Sequence, residues 1–181
     1  MPSTVSDARD LLIASVLSGD PVMYIDDRWL YSLEEKLEPV KELDLYSQGP
    51  KVLRSGTDVT LAAAGYSTKL SLDAAALLEQ QGISAEVIDV RVLNPFNPDL
   101  IAESVSKTGR LVAVDGGWET SGFAGEIIAS VVERISPELL KMSPKRVTLP
   151  ASPAPSSRAL EDIYYPKADE LARLVVENLK S

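Results

Sequence analysis

The stretch "DVTLAAAGYSTKLSLDAAALLEQQGISAEVIDV", residues 58–90, gives the clearest indication of fold class in this 181-residue chain. It opens with an apolar run typical of a buried strand and closes with a second such run, "AEVIDV". Between them, residues 66–81 repeat apolar side chains at helical spacing, and Gly82 is a typical helix stop. The apolar face of this predicted helix consists of Tyr66, Leu70, Ala74, Leu77 and Leu78. A strand, a helix and a strand in this order predict a right-handed crossover between two parallel strands.

The same alternation continues to the end of the chain. Further helices are predicted at residues 97–109, 123–135 and 167–180, and further strands at residues 110–115 and 145–149. Residues 51–54 form another predicted strand, joined to the strand that starts at Asp58 through Ser55-Gly56-Thr57 in an antiparallel hairpin. Residues 51–181 are therefore expected to form one α/β domain with three layers (αβα), a mostly parallel sheet and an antiparallel edge strand.

The first 31 residues precede this domain and follow a different plan. The stretch "STVSDARDLLIASVLSGD" predicts a helix capped by Thr4 or Ser6, and "PVMYI" predicts a short strand at 22–25. A strand without a neighbour cannot satisfy its backbone hydrogen bonds, so this helix–strand arm is expected to complete another domain or to pair with a partner. Residues 32–50 are acidic and end in Gly49-Pro50, which is typical of a linker.

The composition excludes several classes of function. The net charge of −9 argues against nucleic-acid binding, which needs clustered Lys and Arg side chains. The chain has no histidine and no cysteine, which excludes a Ser-His-Asp triad, a His-ligated zinc, a thiolate nucleophile and a disulfide within it. No apolar run is long enough to span a bilayer, and the N-terminus lacks the pattern of a secretory signal. We therefore expect a cytoplasmic protein that uses no membrane partner.

A glycine-rich stretch, "DGGWETSGFAGEI" at 115–127, follows a predicted strand and precedes a predicted helix. That layout is typical of a loop that cradles phosphate. However, neither G-x-G-x-x-G nor G-x-x-x-x-G-K-[ST] is matched, and Phe123 stands where the lysine belongs. We interpret the glycines as a tight strand-to-helix turn, with an anion at the helix N-terminus as the alternative. Trp118 in this stretch favours a protein contact.

The charged cluster Asp26-Asp27-Arg28 follows the predicted strand of the arm. Paired acids can transfer protons or bind a metal, and an arginine can clamp a carboxylate or a phosphate, whereas the plainer interpretation is a solvated strand end. Residues 150–155, "PASPAP", predict a stiff extended connector, and "YYPKADE" predicts the start of the last helix. Composition and spacing alone therefore indicate a soluble α/β domain without an evident catalytic group of its own.

Six longer stretches carry a more specific signal. In chain order they are "MPSTVSDARDLL" (1–12), "PVMYIDDRWLY" (21–31), "AEVIDVRVLNPFNPDLI" (85–101), "KTGRLVAVDGGWETSGFAGEI" (107–127), "KRVTLPASPAP" (145–155) and "LEDIYYP" (160–166). Together they resemble the C-terminal part of the beta subunit of 2-oxo acid dehydrogenase decarboxylase components, of pyruvate or branched-chain type. The broader group is the transketolase-like, thiamine diphosphate-dependent enzymes. The resemblance covers almost the whole chain.

The resemblance implies a division of the chain and a role for each part. Residues 1–31 are implied to be the terminal helix and strand of a pyrimidine-binding domain. Residues 32–50 are the linker, and residues 51–181 are a transketolase C-terminal-like domain. The implied role is assembly and docking within a thiamine diphosphate-dependent enzyme, without catalysis by this chain alone. Asp27 and Arg28 are implied to lie near the active-site rim.

The resemblance also implies which groups lie elsewhere. Thiamine diphosphate and magnesium belong to the complete enzyme. The family's cofactor-contacting carboxylate, active-site histidine and GDG motif lie outside this chain, and "GDP" at 19–21 is not that motif. No catalytic, cofactor-binding or metal-binding residue is therefore expected here, and none of these groups is expected to bind this chain alone.

The implied partners are a second copy, forming a homodimer through the C-terminal domain, other subunits of the same enzyme and an acyltransferase component. The residues expected at these interfaces are Trp118, Glu119, Phe123, Leu160 and Tyr164. Two alternatives stay open. One is a split transketolase or deoxyxylulose-phosphate-synthase-type subunit that acts on sugar phosphates. The other is a free-standing regulatory domain that binds an anion at residues 116–125.

Overall fold

The computed structural model describes residues 1–179. These residues form the strands β1 (Lys51–Arg54), β2 (Val59–Ala63), β3 (Ala85–Asp89), β4 (Leu111–Trp118) and β5 (Lys145–Leu149). They also form the helices α1 (Val5–Leu17), α2 (Tyr66–Glu79), α3 (Asp99–Thr108), α4 (Phe123–Val132), α5 (Arg158–Tyr164) and α6 (Ala168–Leu179). Three short 3-10 turns lie at Arg28–Leu30, Leu45–Ser47 and Pro137–Leu139.

The strands form one sheet in the order β1-β3-β2-β4-β5. β2 lies between β3 and β4 and pairs with both in parallel, and β5 pairs in parallel with β4. β1 pairs antiparallel with β3, where Val52 lies opposite Ile88, and forms one edge. The mostly parallel sheet with an antiparallel edge strand is therefore confirmed.

The predicted hairpin between β1 and β2 is wrong, because both edges of β2 are taken by parallel neighbours. β1 instead pairs with the outer edge of β3, and residues 55–58 lead back to β2 across the start of β3. At this crossing the Asp58 amide donates to the Ser84 carbonyl oxygen at 2.8 Å. Gly56 is required there, since a Cβ atom would lie 2.2 Å from the Ala85 carbonyl carbon. A short glycine-containing spacer therefore made two strands look like hairpin partners when they are not neighbours.

Helices cover both faces of the sheet. Because side chains alternate along a strand, Leu61 of β2 joins the core formed with α2 and α6, whereas its neighbour Ala62 joins the core formed with α3 and α4. Buried helix residues of the first core include Leu70, Leu78, Leu171 and Val175. Those of the second core include Ile101, Val105, Ile127 and Val131. This arrangement confirms the predicted three-layer αβα architecture.

The arm begins as predicted. The side chain of Thr4 accepts a hydrogen bond from the Asp7 amide at 3.1 Å and caps α1. Residues 22–25 form no strand within residues 1–179, because no other strand there pairs with them. A strand exists only where a neighbour accepts its hydrogen bonds. The linker region 32–50 is irregular apart from the turn Leu45–Ser47.

Helix α5 is not predicted by the sequence, which indicates only a connector and the start of the last helix in this region. It has seven residues and buries none of them, so its sequence shows no repeat of apolar residues at helical spacing. No helix within the described part of the chain is long and apolar enough to cross a membrane.

Candidate functional site

The strand order reverses at β2, because the chain passes from β2 to β3 on one side and later to β4 on the other. Helices α2 and α4, which follow β2 and β4, therefore cover opposite faces of the sheet. In open α/β sheets, ligands bind in the crevice at such a reversal, beyond the carboxyl ends of the strands. A cleft of about 680 Å³ opens there, with Trp29, Tyr66, Asp115 and Arg158 among its lining residues.

One wall of this cleft includes the residues that approach the N-terminus of α4. Asp115, near the end of β4, accepts hydrogen bonds from the Gly117 amide and from the Ala124 amide, both at 2.9 Å. An amide at a helix N-terminus is where a bound anion would sit, because the N–H groups there lack helical partners. In this protein the Asp115 carboxylate occupies that position.

The N-terminus of α2 is occupied in the same way, but from a distant part of the chain. Gly65 precedes this helix with φ of +58° and supplies no side-chain cap. The Tyr66 amide donates instead to a carboxylate oxygen of Asp27 at 3.2 Å. The other carboxylate oxygen of Asp27 accepts from the Trp29 amide at 3.1 Å. The arm thus caps a helix of the α/β domain.

The carboxylates of Asp27 and Asp115 limit which anionic ligands the cleft can bind. A diphosphate at either helix N-terminus would meet Asp27 or Asp115 where it needs a free donor. Among residues 1–179, no group of His, Cys, Asp and Glu side chains is arranged to hold a metal ion. The residues present therefore do not fit a diphosphate with its magnesium ion. The Asp115 carboxylate also accepts from the Gly117 and Ala124 amides, which an anion bound at residues 116–125 would need as free donors.

The glycine-rich stretch is only partly the turn that we predicted. β4 runs on through Gly116 and Gly117 to Trp118, which lies opposite Leu149 of β5, so these two glycines belong to a strand. The turn itself spans residues 119–122. It ends at Gly122, where a Cβ atom would lie 2.0 Å from the Trp118 carbonyl oxygen. The prediction placed the end of the strand too early, because glycine lowers strand propensity without forbidding a strand.

Four of the five predicted interface residues lie around α5 and the ends of β4 and β5. The indole Nε1 of Trp118 donates to the Tyr164 hydroxyl at 3.4 Å, and this hydroxyl donates to the Ser152 carbonyl oxygen at 2.7 Å. Glu119 accepts from the Arg146 guanidinium at 2.8 Å. The side chains of Trp118 and Leu160 are 51% and 55% exposed. This group therefore presents aromatic and aliphatic surface to the solvent.

Phe123 is the predicted interface residue that stands apart. It is half-buried at the start of α4 and packs edge-to-face against Phe96, with ring centroids 5.2 Å apart. It borders the core on the α3 and α4 side of the sheet. Its position is explained by packing within this chain.

The predicted rim residues Asp27 and Arg28 behave differently from each other. Asp27 is held by its two amide partners, as described above. The Arg28 side chain is exposed and makes no ion pair within residues 1–179. Of the two, Arg28 is the residue that can still meet a ligand or a partner.

A second cluster, at the junction of the arm and the α/β domain, was not anticipated from the sequence. Arg91 follows β3, lies 7% exposed and has φ of +60°. Its guanidinium donates to Asp7 of α1 at 2.9 Å and to the Gly49 carbonyl oxygen at 3.2 Å. Within the described residues, Asp7 Oδ2 and Arg91 Nε have no hydrogen-bond partner. This buried ion pair joins α1, the linker and the end of β3.

Asp89 completes this junction from the last position of β3. It is fully buried and accepts hydrogen bonds from the hydroxyls of Ser3 and Thr68. Burial raises the pKa of its carboxyl group to about 6, and the nearby Asp7 carboxylate acts in the same direction. The only sequence signal was a charged pair directly after an apolar strand, "VIDVR", which does not name its partners.

Residues 50–171 match the family described as transketolase, C-terminal domain. The beta subunit of acetoin:2,6-dichlorophenolindophenol oxidoreductase from Bacillus subtilis is 36% identical over 179 residues, covering 99% of this chain and 52% of that protein. The beta subunit of the pyruvate dehydrogenase E1 component from the same organism is 35% identical over 180 residues, covering 98% of this chain and 55% of that protein. The chain thus spans about half the length of the curated relatives that it matches.

Solved structures agree with the family match. A split-gene transketolase, described as an inactive beta4 tetramer, superposes with a TM-score of 0.68 at 25% identity, covering 99% of this chain and 56% of that one. Transketolase from Pichia stipitis superposes with a TM-score of 0.52 at 19% identity over 74% of this chain, and supports the fold alone. The resemblance to beta subunits is confirmed, and the chain belongs to the transketolase C-terminal domain family.

Proposed function

We propose that this chain is the C-terminal part of a beta subunit of a thiamine diphosphate-dependent enzyme of the 2-oxo acid dehydrogenase type, acting on pyruvate or a branched-chain 2-oxo acid. Its role there is assembly and docking. The observation that carries the proposal is the match to beta subunits across 98–99% of the chain, over only about half of their length. The remaining half would supply most of the pyrimidine-binding domain.

The surface of the arm supports this assignment. α1 and the segment after it leave large apolar side chains in solvent: Leu12 (45% exposed), Val16 (76%), Leu17 (70%), Val22 (40%), Met23 (85%) and Ile25 (40%). Neighbouring apolar side chains that face solvent mark a surface that another part of a protein covers. The segment 22–25 also lacks a strand neighbour within residues 1–179. In the proposal, residues 1–31 dock onto the rest of the pyrimidine-binding domain, where this segment becomes a strand.

The chemistry would belong to other parts of the enzyme. Thiamine diphosphate, when bound, supplies a carbanion that attacks the substrate carbonyl and stabilises the resulting charge. In this chain, Asp27 and Asp115 cap the helix N-termini that could otherwise face a diphosphate. We therefore assign no cofactor contact and no proton transfer to it, and place Arg28 at the active-site rim.

The proposed partners bind beside the cleft, on the surface around α5. The exposed group of Trp118, Glu119, Leu160 and Tyr164 would contact a second copy or the acyltransferase component. The net charge of −9 favours encounter with a basic partner, although charge acts more on the rate of association than on affinity. A cytoplasmic location is part of the proposal.

The test is reconstitution. The 181-residue chain is mixed with an alpha subunit and a pyrimidine-binding domain from the same organism, and reduction of 2,6-dichlorophenolindophenol is followed with pyruvate, branched-chain 2-oxo acids or acetoin. Dye reduction is expected only in the complete mixture with thiamine diphosphate and magnesium. Calorimetry of the chain alone should show no binding of the cofactor, and micromolar binding would overturn the proposal.

A second candidate is a split transketolase, and the observation that favours it is the superposition on the split-gene transketolase. The same mixture separates the two candidates. Transfer of a two-carbon unit from a ketose phosphate, without dye reduction by 2-oxo acids, would replace the first proposal with the second.

A further inference from the structure

Five aromatic side chains form a continuous chain that starts in the cleft, which Tyr66, Trp29 and Tyr165 line, and ends outside it. The ring centroids of Tyr66 and Trp29 are 5.3 Å apart, those of Trp29 and Tyr165 are 5.2 Å apart, and those of Tyr165 and Tyr164 are 5.0 Å apart. Tyr164 then accepts the indole hydrogen bond from Trp118.

The aromatic chain joins four separate segments of the molecule. Tyr66 begins α2, and Trp29 lies in the 3-10 turn of the arm. Tyr164 ends α5, Tyr165 follows it directly, and Trp118 ends β4. Trp29 is its central member, since it contacts one ring from the α/β core and one from α5. Each aromatic pair of this kind changes a local opening equilibrium by about two- to tenfold.

The residue two positions before Trp29 anchors the same turn. Asp27 accepts from the Tyr66 amide, so carboxylate and indole hold the turn from both sides of Arg28. The backbone of Arg28 is therefore fixed while its side chain stays exposed. A rigid backbone under an exposed charged side chain is the arrangement that a binding residue needs.

Helix α5, which carries Tyr164 and precedes Tyr165, is loosely packed against the rest of the molecule. None of its residues is buried, and Leu160 and Ile163 are 55% and 81% exposed. Few contacts therefore hold α5 in place, and a protein that covers these side chains would set its position. Tyr165 immediately follows α5 and must move with it.

We infer that Trp29 is a positioning residue, which fixes the orientation of the Asp27–Arg28 turn according to where α5 and Tyr165 sit. The inference rests on the proposed function in one respect, namely that this turn lies at the active-site rim. The α/β domain then has a role beyond assembly, because a protein docked at α5 would change the orientation of the Asp27–Arg28 turn.

The first test is hydrogen exchange of the backbone amides of residues 26–31 in the 181-residue chain. Trp29→Ala and Tyr165→Ala are expected to speed exchange there by about two- to tenfold, because each removes a ring from the aromatic chain. Trp29→Phe and Tyr165→Phe keep a ring and should behave like the wild type, since neither the indole nitrogen nor the Tyr165 hydroxyl forms a hydrogen bond within residues 1–179. Tyr46→Ala, on an exposed turn outside the aromatic chain, is the matched control.

A spectroscopic measurement isolates Trp29. The chain has two tryptophans, so Trp118→Phe leaves Trp29 as the sole reporter. In this background Tyr165→Ala should shift the emission to longer wavelength, and Tyr165→Phe should not. Tyr165→Ala with unchanged emission and unchanged exchange in a folded chain would overturn the inference.

The reconstituted enzyme separates positioning from mere stability. Trp29→Ala is expected to raise KM severalfold with a smaller change in kcat, and Trp29→Phe should restore KM. A wild-type KM for Trp29→Ala would overturn the positioning role. If no mixture is active even with the wild-type chain, the proposed function fails. The exchange experiment on the chain alone still tests whether Trp29 and Tyr165 hold the Asp27–Arg28 turn.

Discussion

The α/β domain and the arm differ in how far they bury their apolar side chains. Every residue of β2 and β3 is buried, whereas α1 leaves Val16 76% and Leu17 70% exposed. Both regions contain well-formed helices, so the difference does not lie in local structure. The domain encloses its own core, whereas the arm leaves large apolar side chains in solvent.

Apart from Leu11 and Ala14, which α1 buries, specific polar contacts join the arm to the domain. Asp27 caps α2, Ser3 donates to the buried Asp89, and Asp7 pairs with the buried Arg91. Polar contacts of this kind are directional and specify one position, but each contributes little unless it is buried. A few directional bonds therefore specify where the arm lies, whereas buried apolar area stabilises the domain.

The largest effect on stability is expected from removing the buried arginine that joins the arm to the domain. Arg91→Ala leaves Asp7 buried without its partner, and we expect a loss of about 3–5 kcal/mol in the free energy of unfolding, measured by urea denaturation. Arg134→Ala, which removes an ion pair with the exposed Asp99, should cost less than about 1 kcal/mol. Equal losses for both variants would mean that the junction is solvated.

The double variant Asp7→Ala/Arg91→Ala sharpens the same test. It removes both charges, so it should be less destabilised than Arg91→Ala alone. A double variant that loses the sum of the two single effects would show that the ion pair is not the source of the effect.

Truncation of one apolar side chain in each region compares the two directly. Leu78→Ala in α2 opens a cavity in the closed core and is expected to cost about 2–5 kcal/mol in the free energy of unfolding. Val16→Ala in α1 changes a side chain that is 76% exposed, so the same quantity should stay within about 0.5 kcal/mol. Urea denaturation measures both. A large effect of Val16→Ala in the isolated chain would show that the arm's apolar face is already covered, for example by a second copy.

The buried Asp89 makes the junction sensitive to pH. Its pKa in the folded chain is raised to about 6, above 3.8, so the folded state holds the proton more tightly than the unfolded state. The stability from this group is therefore complete below pH 3.8 and is lost as the pH rises through about 6. Relative to Asp89→Asn, the wild type should gain about 2 kcal/mol between about pH 8 and about pH 4.

Asp89→Asn is itself the control for this measurement, because it keeps a side chain that can bond to Ser3 and Thr68 while removing the charge. Thermal melts of both proteins across the pH range provide the comparison. If the two proteins keep a constant difference in stability, the Asp89 carboxyl titrates near its ordinary pKa and the junction is open to water.

The smallest effect concerns two glycines that lie three residues apart. Gly122→Ala places a Cβ against the Trp118 carbonyl oxygen and should cost at least about 1 kcal/mol, because backbone cannot yield as a side chain can. Gly125 lies in α4, and a methyl group added there would meet no heavy atom within 4 Å, so Gly125→Ala should stabilise by about 0.5–1 kcal/mol. Thermal denaturation of both variants measures the contrast, and a stabilising Gly122→Ala would contradict the close approach.

Much of the fold follows from the sequence because its signals are local. Leu70, Ala74 and Leu78 repeat at helical spacing, and the runs at 85–90 and 110–115 are mostly apolar, so elements and layers can be inferred without any long-range contact. The candidate site is less predictable. The sequence located the "DGGW" stretch and Asp27, but it could not show that carboxylates of this chain fill both helix N-termini.

The order of most elements, the three layers and the family can be predicted from the sequence, because periodicity, caps and characteristic stretches involve neighbouring residues. Three outcomes are visible only in the folded chain: β1 pairs with β3, Asp27 caps a helix 39 residues further on, and Arg91 pairs with an aspartate 84 residues before it. Those outcomes depend on which partner lies within hydrogen-bond distance once the core has formed. A charged side chain can form such a bond with many partners, but the fold determines which partner lies within reach.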